Sequence, residues 1–469
     1  MKPAPSAFTR RAFLQGALAA GAAVVLAPRR IFAASAAPAR VNLACVGIGN
    51  RGADVIKAFH ATGQANIVAL CDTDLGAAHT REILGLFPQA ARFQDFRRMF
   101  DRAGRDIEAV CVCTPDHTHF VVTMLAMSQG KPVYVEKPVA RTFQEIALLM
   151  DAERKYGVAT QMGNQGHSEA NYFQFKAWEE AGIIRDVTRI TAFMNNPRRW
   201  HGKRVYGHLP EQAVPATLDW DTWLGPVQAH PFNAGYTQGE WRSWYDFGNG
   251  ALGDWGAHLV DTAHEFLALG LPTEVDPVRI EGHSAFLFPQ ATTLAFKFPA
   301  RGPRPPVELT WYDGVTNQPP LPEGFGEAVV DPNIPPPSAG TIDTRRYPPG
   351  KVIYGGDLTF KGGSHGSTLE IIPPDRARDL ASRLPEVPAS PSNHFLNFLR
   401  ACRGEEKCRS PFSVSGPLCQ MMALGIIAQR LNTKITFDPA SSRITNDALA
   451  QELLSGPPPR PGWESFYRL

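Results

Sequence analysis

Residues 41–72 read VNLACVGIGNRGADVIKAFHATGQANIVALCD, and this stretch decides the fold. The apolar run Val41 to Val46 predicts a buried strand. Gly47-Ile48-Gly49-Asn50-Arg51-Gly52 follows it and opens a helical segment, Ala53 to Phe59. A second apolar strand, Ile67 to Cys71, ends in Asp72, 20 residues after the last glycine. A G-x-G-x-x-G triplet alone is weak, because glycines also punctuate ordinary turns. A strand before it, a helix after it and an acid at the end of the next strand make it a dinucleotide-binding fingerprint. Glycines let backbone N–H groups approach a pyrophosphate at a helix N-terminus, where the dipole favours anions. Asp72 would accept hydrogen bonds from adenosine ribose hydroxyls and repel a 2′-phosphate. The expected cofactor is therefore NAD, with NADP less favoured.

Working outward, strands and helices alternate from 41 to about 158, as a doubly wound parallel sheet requires. Ile107 to Cys113 reads as a further buried strand ending in Thr114-Pro115-Asp116-His117-Thr118-His119, and a helix continues from Val121 to Met127. Pro132 to Val135 is another short strand, ending in Glu136-Lys137-Pro138. Ligands of such sheets bind beyond the carboxyl ends of the strands, so both polar clusters point at the cofactor crevice. The expected fold class is α/β, with a Rossmann domain at 37–158 and an α/β substrate domain at 159–469 built on a large open mixed or antiparallel sheet with helices on one face. In the second domain Val187 to Met194, Val278 to Ser284, Thr292 to Phe298 and Val307 to Tyr312 read as strands, and Asn393 to Arg400 and Val414 to Leu431 as helices. Pro319 to Lys351 is too dense in Pro and Gly for helix and is expected to be an ordered excursion or lid over the site.

Before the fingerprint, Thr9-Arg10-Arg11-Ala12-Phe13-Leu14-Gln15 precedes an apolar run from Gly16 to Ala27 and an Ala-rich stretch, Ala33 to Ala37. A basic head, a short apolar middle and small residues are the parts of an export signal. The apolar run of 12 residues is short of the roughly 20 that a bilayer demands. Paired arginines followed by Phe-Leu point to the twin-arginine route, which carries folded proteins, so residues 1–36 are set apart from the fold and the expected location is periplasmic or secreted. With 47 basic and 45 acidic residues the net charge is +2, which gives no nucleic-acid footprint. Of seven cysteines, Cys45, Cys71, Cys111 and Cys113 fall in expected strands. None makes a cluster with metal spacing, and no metal site is expected. Cys402 and Cys408 flank a polar turn and could pair after export, or remain free thiols.

Phe247 to Asp261 reads FGNGALGDWGAHLVD. On a helix Asp254 and His258, four apart, share one face. His258 is a proton acceptor suited to neutral pH. Asp254 would orient it or bond the same substrate, and Lys137, at a strand end beside the cofactor, would stabilise a developing alkoxide. A base, a cation near oxygen and a dinucleotide are the parts needed to oxidise a secondary alcohol.

Together, Gly47-x-Gly49-x-x-Gly52, Thr114-Pro115 with His119, Glu136-Lys137-Pro138 and Gly250-x-x-x-Asp254-x-x-x-His258 resemble the Gfo/Idh/MocA oxidoreductases, named after glucose–fructose oxidoreductase and inositol dehydrogenase. The resemblance implies a Rossmann domain followed by an α/β domain whose open sheet carries the substrate pocket and pairs copies of the chain. It implies that Lys137, Asp254 and His258 are the catalytic set. It places Gly47, Ile48, Gly49, Asn50, Arg51, Gly52, Asp72, Thr114, Pro115, His119, Glu136, Lys137 and Gln165 at a tightly bound NAD. Asp72 departs from the NADP preference of glucose–fructose oxidoreductase, so that activity is not assigned. Family substrates are sugars and cyclitols. Aromatic faces pack on sugar C–H surfaces, which suits Trp220 and Trp255, while Asn164, His167, Arg198 and Arg242 would bond hydroxyls. Two readings follow. One is a sugar or polyol dehydrogenase; the other is a redox-neutral NAD-using glycosidase or lyase acting through a transient keto-sugar. The retained Asp254/His258 helix favours the first, because the family's glycosidase branch tends to replace it.

Overall fold

The computed structural model describes residues 40–330 and 345–469. The proposed export signal lies outside the described residues. Six parallel strands form the first sheet: β1 (Val41–Val46), β2 (Ala65–Cys71), β3 (Ala91–Phe93), β4 (Ala109–Val112), β5 (Val133–Val135) and β6 (Thr160–Met162), in the order β3-β2-β1-β4-β5-β6. The strand order reverses at β1, so the crevice lies beyond the carboxyl ends of β1 and β4. This sheet runs through Met162, past the expected boundary at 158. The domain also recruits distant sequence. Phe59, on the Arg51–Ala61 helix, meets Phe395 and Phe398 edge-on at 5.1 and 5.9 Å, so the His394–Cys402 helix covers part of the Rossmann domain.

The second sheet is assembled from β7 (Val187–Met194), β8 (Glu274–Glu281), β9 (Ala291–Phe298), β10 (Val307–Asp313), β13 (Gly350–Gly355), β14 (Leu358–Gly363), β15 (Leu369–Ile372), β16 (Ile435–Asp438) and β17 (Arg443–Ile444). Between β10 and β13, β11 (Val329–Val330) and β12 (Arg345–Arg346) pair as a separate ribbon. The nine strands run β15-β14-β13-β7-β10-β9-β8-β16-β17, with only β7 and β10 parallel, so the sheet is mixed as expected. Alternation sorts its faces. Ile190, Ala192, Leu309, Trp311, Ile353 and Phe360 enter the main core, against which Leu252 of the Gly250–Leu259 helix and the Phe412–Leu431 helix pack. That last helix is apolar enough to cross a membrane, but 78% of its apolar window is buried in this core. Its first turn is capped from another helix: Glu153 accepts from the backbone N–H groups of Phe412 (3.0 Å) and Ser413 (2.8 Å).

The described residues of the expected lid do not cover the cavity. Phe325 packs against Phe193 at 5.7 Å, on the face of β7 opposite Ala192, so the described stretch around Phe325 lies along the far side of the second sheet. None of the described residues of the Pro319–Lys351 excursion lines the main cavity; 331–344 lie outside the described residues. The segment that covers the cavity is instead Gln212 to Arg242, called the strap below. It is tied to the Rossmann strand ends: Asp219 N–H donates to the Thr73 carbonyl (2.9 Å) and Gln94 Nε2 to the Thr217 carbonyl (2.7 Å). Cys402 and Cys408 are both free thiols.

Candidate active site

A cavity of about 750 Å³ runs between the two sheets, from the glycine loop to the Gly250–Leu259 helix. That is within the range of small-molecule and cofactor sites.

At one end, β1 turns sharply into the Arg51–Ala61 helix. Gly47 has φ +79°, and a Cβ there would sit 2.6 Å from the Cys113 carbonyl carbon. A Cβ on Gly52 would sit 2.0 Å from the Gly47 carbonyl oxygen. Both glycines are therefore required by backbone crowding, and Gly47 by its conformation as well. Gly47, Gly49, Asn50 and Arg51 line the cavity, whereas Ile48 and Gly52 stand behind them. Ile48 contributes through its backbone: its N–H donates to Asp72 Oδ2 at 3.0 Å, and Asp74 N–H donates to Oδ1 at 3.0 Å. Asp72 is thereby fixed at the cavity wall. A glycine cradle, a helix start and an anchored carboxylate fit an adenine dinucleotide, whose pyrophosphate the helix N-terminus would hold.

Further along, Thr114, Pro115, His119, Glu136, Lys137 and Gln165 line the same cavity. The His119 ring lies between two carbonyl oxygens, Pro138 at 2.7 Å from Nδ1 and Thr114 at 2.8 Å from Nε2, and so ties the ends of β4 and β5 together. Arg51 Nε donates to the buried Glu136 carboxylate at 3.1 Å.

The other end carries the expected catalytic trio. Lys137 Nζ donates to Asp254 Oδ1 (2.5 Å) and to the Asp254 carbonyl oxygen (2.8 Å). Arg198 Nη2 donates to Asp254 Oδ2 at 2.9 Å. Burial alone would push the Asp254 carboxyl up, but the charges of Lys137, Arg198 and Arg242 outweigh it and hold it well below the usual carboxylate range. One helical turn on, His258 is buried, and burial together with Lys137 and His365 pushes its imidazole well below the ordinary histidine value. It is neutral at physiological pH. Its Nδ1 is buried without a hydrogen-bond partner.

Three residues of this end escaped the sequence reading as individual site members. His365 stacks on His258 (ring centroids 4.0 Å apart, planes within 18°) and stands 5.7 Å from Trp255. A Cβ on Gly166 would lie 2.7 Å from the His365 carbonyl oxygen, so a glycine at that turn lets the loop approach. Asn249 Nδ2 donates to Asp116 Oδ2 at 3.0 Å, and burial raises the Asp116 carboxyl. Asp116 stands in the polar cluster after β4, a signal that was available. His365 sits alone in a Gly/Ser loop, with no spacing to mark it.

Of the six residues expected at the substrate, Arg198, Arg242 and Trp255 line the cavity and Asn164, His167 and Trp220 do not. His167 is locked behind the site between Asp261 (3.1 Å) and Glu265 (2.5 Å). Burial would lower its imidazole, but those two carboxylates raise it to about 9. Asn164 borders the same buried network, 3.4 Å from Asp261. Trp220 stacks on Trp223 at 4.8 Å and donates to the His230 carbonyl, so its work is in the strap's own aromatic core.

Fold and site together define a two-domain dinucleotide-binding protein with an ionic cluster at the domain junction. Family models match both halves: the oxidoreductase family's NAD-binding Rossmann fold over residues 41–164 and its C-terminal α/β domain over 182–292, together half of the chain. The chain belongs to the Gfo/Idh/MocA oxidoreductase family. It is 30% identical over 176 residues to a glycosyl hydrolase family 109 protein of Streptomyces niveus, covering 36% of this chain and 33% of that protein. It is 29% identical over 164 residues to inositol 2-dehydrogenase 1 of Saccharopolyspora erythraea, covering 34% and 48%. The matched stretch thus spans less than half of either relative. In three dimensions it resembles the WlbA dehydrogenase of Bordetella pertussis, solved with NADH and UDP-GlcNAcA (TM-score 0.56, 14% identity, 85% of this chain and 99% of that one). It also resembles an NAD-binding protein of Listeria innocua (TM-score 0.54, 13% identity, 85% and 97%). At such identities the likeness is one of fold.

Proposed function

We propose that the protein is an NAD-dependent oxidoreductase acting on a secondary hydroxyl of a sugar, cyclitol or glycoside. The observation that carries this reading is the Lys137–Asp254–Arg198 cluster beside a neutral His258, in the cavity that the glycine loop also lines. When bound, NAD supplies the acceptor for the hydrogen on the carbinol carbon. Lys137, held by the two bonds it donates to Asp254, directs its ammonium at the substrate oxygen and stabilises negative charge as the hydroxyl proton leaves. His258, unprotonated, takes that proton. His365 and Trp255 fix the His258 ring from two sides and exclude water, while Arg242, on the cavity wall, orients the rest of the substrate.

Asp72 supports NAD over NADP. The strap supports retention of the cofactor through the cycle, since it bonds to the strand ends beside Asp72. Export by the twin-arginine route, read from Thr9 to Leu14, fits a cofactor loaded before translocation and a periplasmic or secreted enzyme. We also propose that copies pair through the second sheet, a matter for light scattering. A panel of sugars and cyclitols, read by nicotinamide absorbance and product chromatography, tests the main reading. Reduction of bound NAD by at least one member, lost in Lys137→Met, is the expected result. The similarity to a glycosyl hydrolase family 109 protein favours one alternative, redox-neutral cleavage of a glycoside. Released aglycone with no net change in nicotinamide absorbance would establish that alternative.

A further inference from the structure

Outside the cavity, on the back of the strap, His208, His230 and Asp246 present ligand atoms that all lie within 4.8 Å of one another. The three come from separate parts of the chain: His208 from the run into the strap, His230 from its middle, and Asp246 from the stretch just before the Gly250–Leu259 helix. They border a small cleft of about 100 Å³ with Pro226, Val227 and Tyr467.

Each group keeps a ligand atom available for coordination. His230 Nδ1 is engaged by the Pro231 carbonyl oxygen at 3.1 Å, which leaves Nε2 as the open position, and that atom is buried with no hydrogen-bond partner among the described residues. Metal-bound histidines almost always use their second nitrogen in this way, because the bond fixes tautomer and ring orientation. His208 stacks on the His230 ring at 4.8 Å and has an exposed edge free to rotate. Asp246 makes no hydrogen bond or ion pair among the described residues.

We propose that His208, His230 and Asp246 form a binding site for a divalent transition-metal ion, zinc foremost, that clamps the strap to the base of the catalytic helix. Two imidazoles and one carboxylate, with a water in the fourth position, are a donor set that zinc accepts at about 2.0–2.2 Å per bond. Bonds of about 2.0–2.2 Å in four-coordinate geometry place donor atoms about 3.4 Å apart, so a movement of up to about 1.4 Å by the exposed His208 side chain closes the 4.8 Å site. Arg141 lines the same cleft and the charge of Arg430 reaches Asp246. Both oppose the ion and lower its expected affinity. The clamp has a structural consequence. Asp219 and Thr217 tie one part of the strap to the Rossmann strands, and the metal would tie the other to the substrate domain. Phe232, Ala234 and Trp241, which line the cavity, lie along this strap. The proposal does not depend on the reaction assigned above.

The test uses the full chain, freed of metal by chelator and titrated with zinc against a chromophoric competitor. It also uses cobalt as a spectroscopic probe, whose visible bands report four-coordinate binding. One equivalent of zinc should bind, cobalt should give those bands, and zinc should raise the melting temperature. His208→Ala and Asp246→Asn should each weaken binding at least tenfold and lose the cobalt bands. Because His208 is exposed, its truncation leaves a folded chain, checked by circular dichroism and NAD binding. Absence of stoichiometric zinc, or equal affinity in both variants, overturns the site. His258→Ala is the control: loss of zinc binding there and not in His208→Ala would move the ion to the catalytic cavity and refute the clamp.

Discussion

Replacing Asp254 by Asn keeps the shape of the side chain and removes its charge, which tests whether the ionic cluster is the organising element of the site. In the native protein the carboxylate receives Lys137 at 2.5 Å and Arg198 at 2.9 Å. Unit charges about 4 Å apart interact by about 4 kcal/mol at the effective dielectric of about 20 that suits partly buried pairs. Breaking a buried pair by removing one partner costs about 3–5 kcal/mol, because the other charge is stranded. Lys137 and Asp254 are 13% and 20% exposed, and Lys137 keeps its bond to the Asp254 carbonyl at 2.8 Å. The expected loss is therefore at the lower end, about 3 kcal/mol. Lys137→Met should cost less, since Arg198 still satisfies the carboxylate. The double variant should recover part of the loss, with a coupling of about 1.5 kcal/mol or more. Denaturant unfolding of the four proteins measures this directly. The pH dependence has a defined sign. Asp254 is held well below its ordinary value of 3.8, so its contribution is present above that pH and lost as pH falls below it. Asp254→Asn should flatten the acid limb. Additive losses, within about 0.5 kcal/mol, would refute the cluster as a coupled unit.

His258→Ala should lose about 10²-fold or more in kcat while NAD affinity, measured by fluorescence titration, stays within a few fold; near-normal turnover would show that another group takes the proton. Asp72→Ala should narrow the preference for NAD over NADP, and unmutated protein that binds NADP more tightly would overturn the cofactor reading. Gly47→Ala should abolish NAD binding and lower the melting temperature, because its Cβ would meet the Cys113 backbone at 2.6 Å; a stable, NAD-binding variant would contradict that packing. His167 is raised from 6.5 to about 9, so it contributes stability, on the order of 3 kcal/mol, that is full below pH 6.5 and lost as pH rises towards 9. His167→Gln should remove that alkaline decline, and an unchanged stability profile would show that the carboxylate pair does not hold the proton.

The parts legible in the sequence are those that local chemistry dictates. Gly47 and Gly52 announce themselves because only a residue without Cβ fits against Cys113 and the Gly47 carbonyl. Asp254 and His258 announce themselves because a helix puts positions four apart on one face. Lys137 is legible because it ends a short apolar strand. The strands β7, β9 and β10 were read nearly residue for residue from their apolar runs. By contrast β13 (GKVIYG) and β14 (LTFKGG) carry Gly and Lys, and with the short β15 they join the sheet as a chain of pairings, β13 on β7, β14 on β13 and β15 on β14, which a local pattern cannot show. His365 reaches the site through that same pairing, as the loop after β14.

The misplaced lid has the same origin. Pro/Gly density identified Pro319–Lys351 as irregular, and irregularity says nothing about which face of a sheet a segment lies on. For the described stretch around it, Phe325 shows the face by packing on Phe193. The strap, in contrast, carries Trp220, Trp223, Phe232 and Tyr236, with Trp244 just beyond its end, and of these Trp220 was expected at the sugar. In the fold Trp220 stacks on Trp223 and Tyr236 meets Trp244 at 4.8 Å, so most of these rings form a small apolar core that gives the strap its own rigidity. A covering segment with its own core, bonded to the Rossmann strand ends through Asp219 and Thr217, acts as a fixed wall more than a flap. Substrate would then enter by the Arg242 and Trp255 end, while the dinucleotide would leave only if those strand-end bonds open. Slow exchange of NAD alongside rapid exchange of sugar is the behaviour this architecture favours.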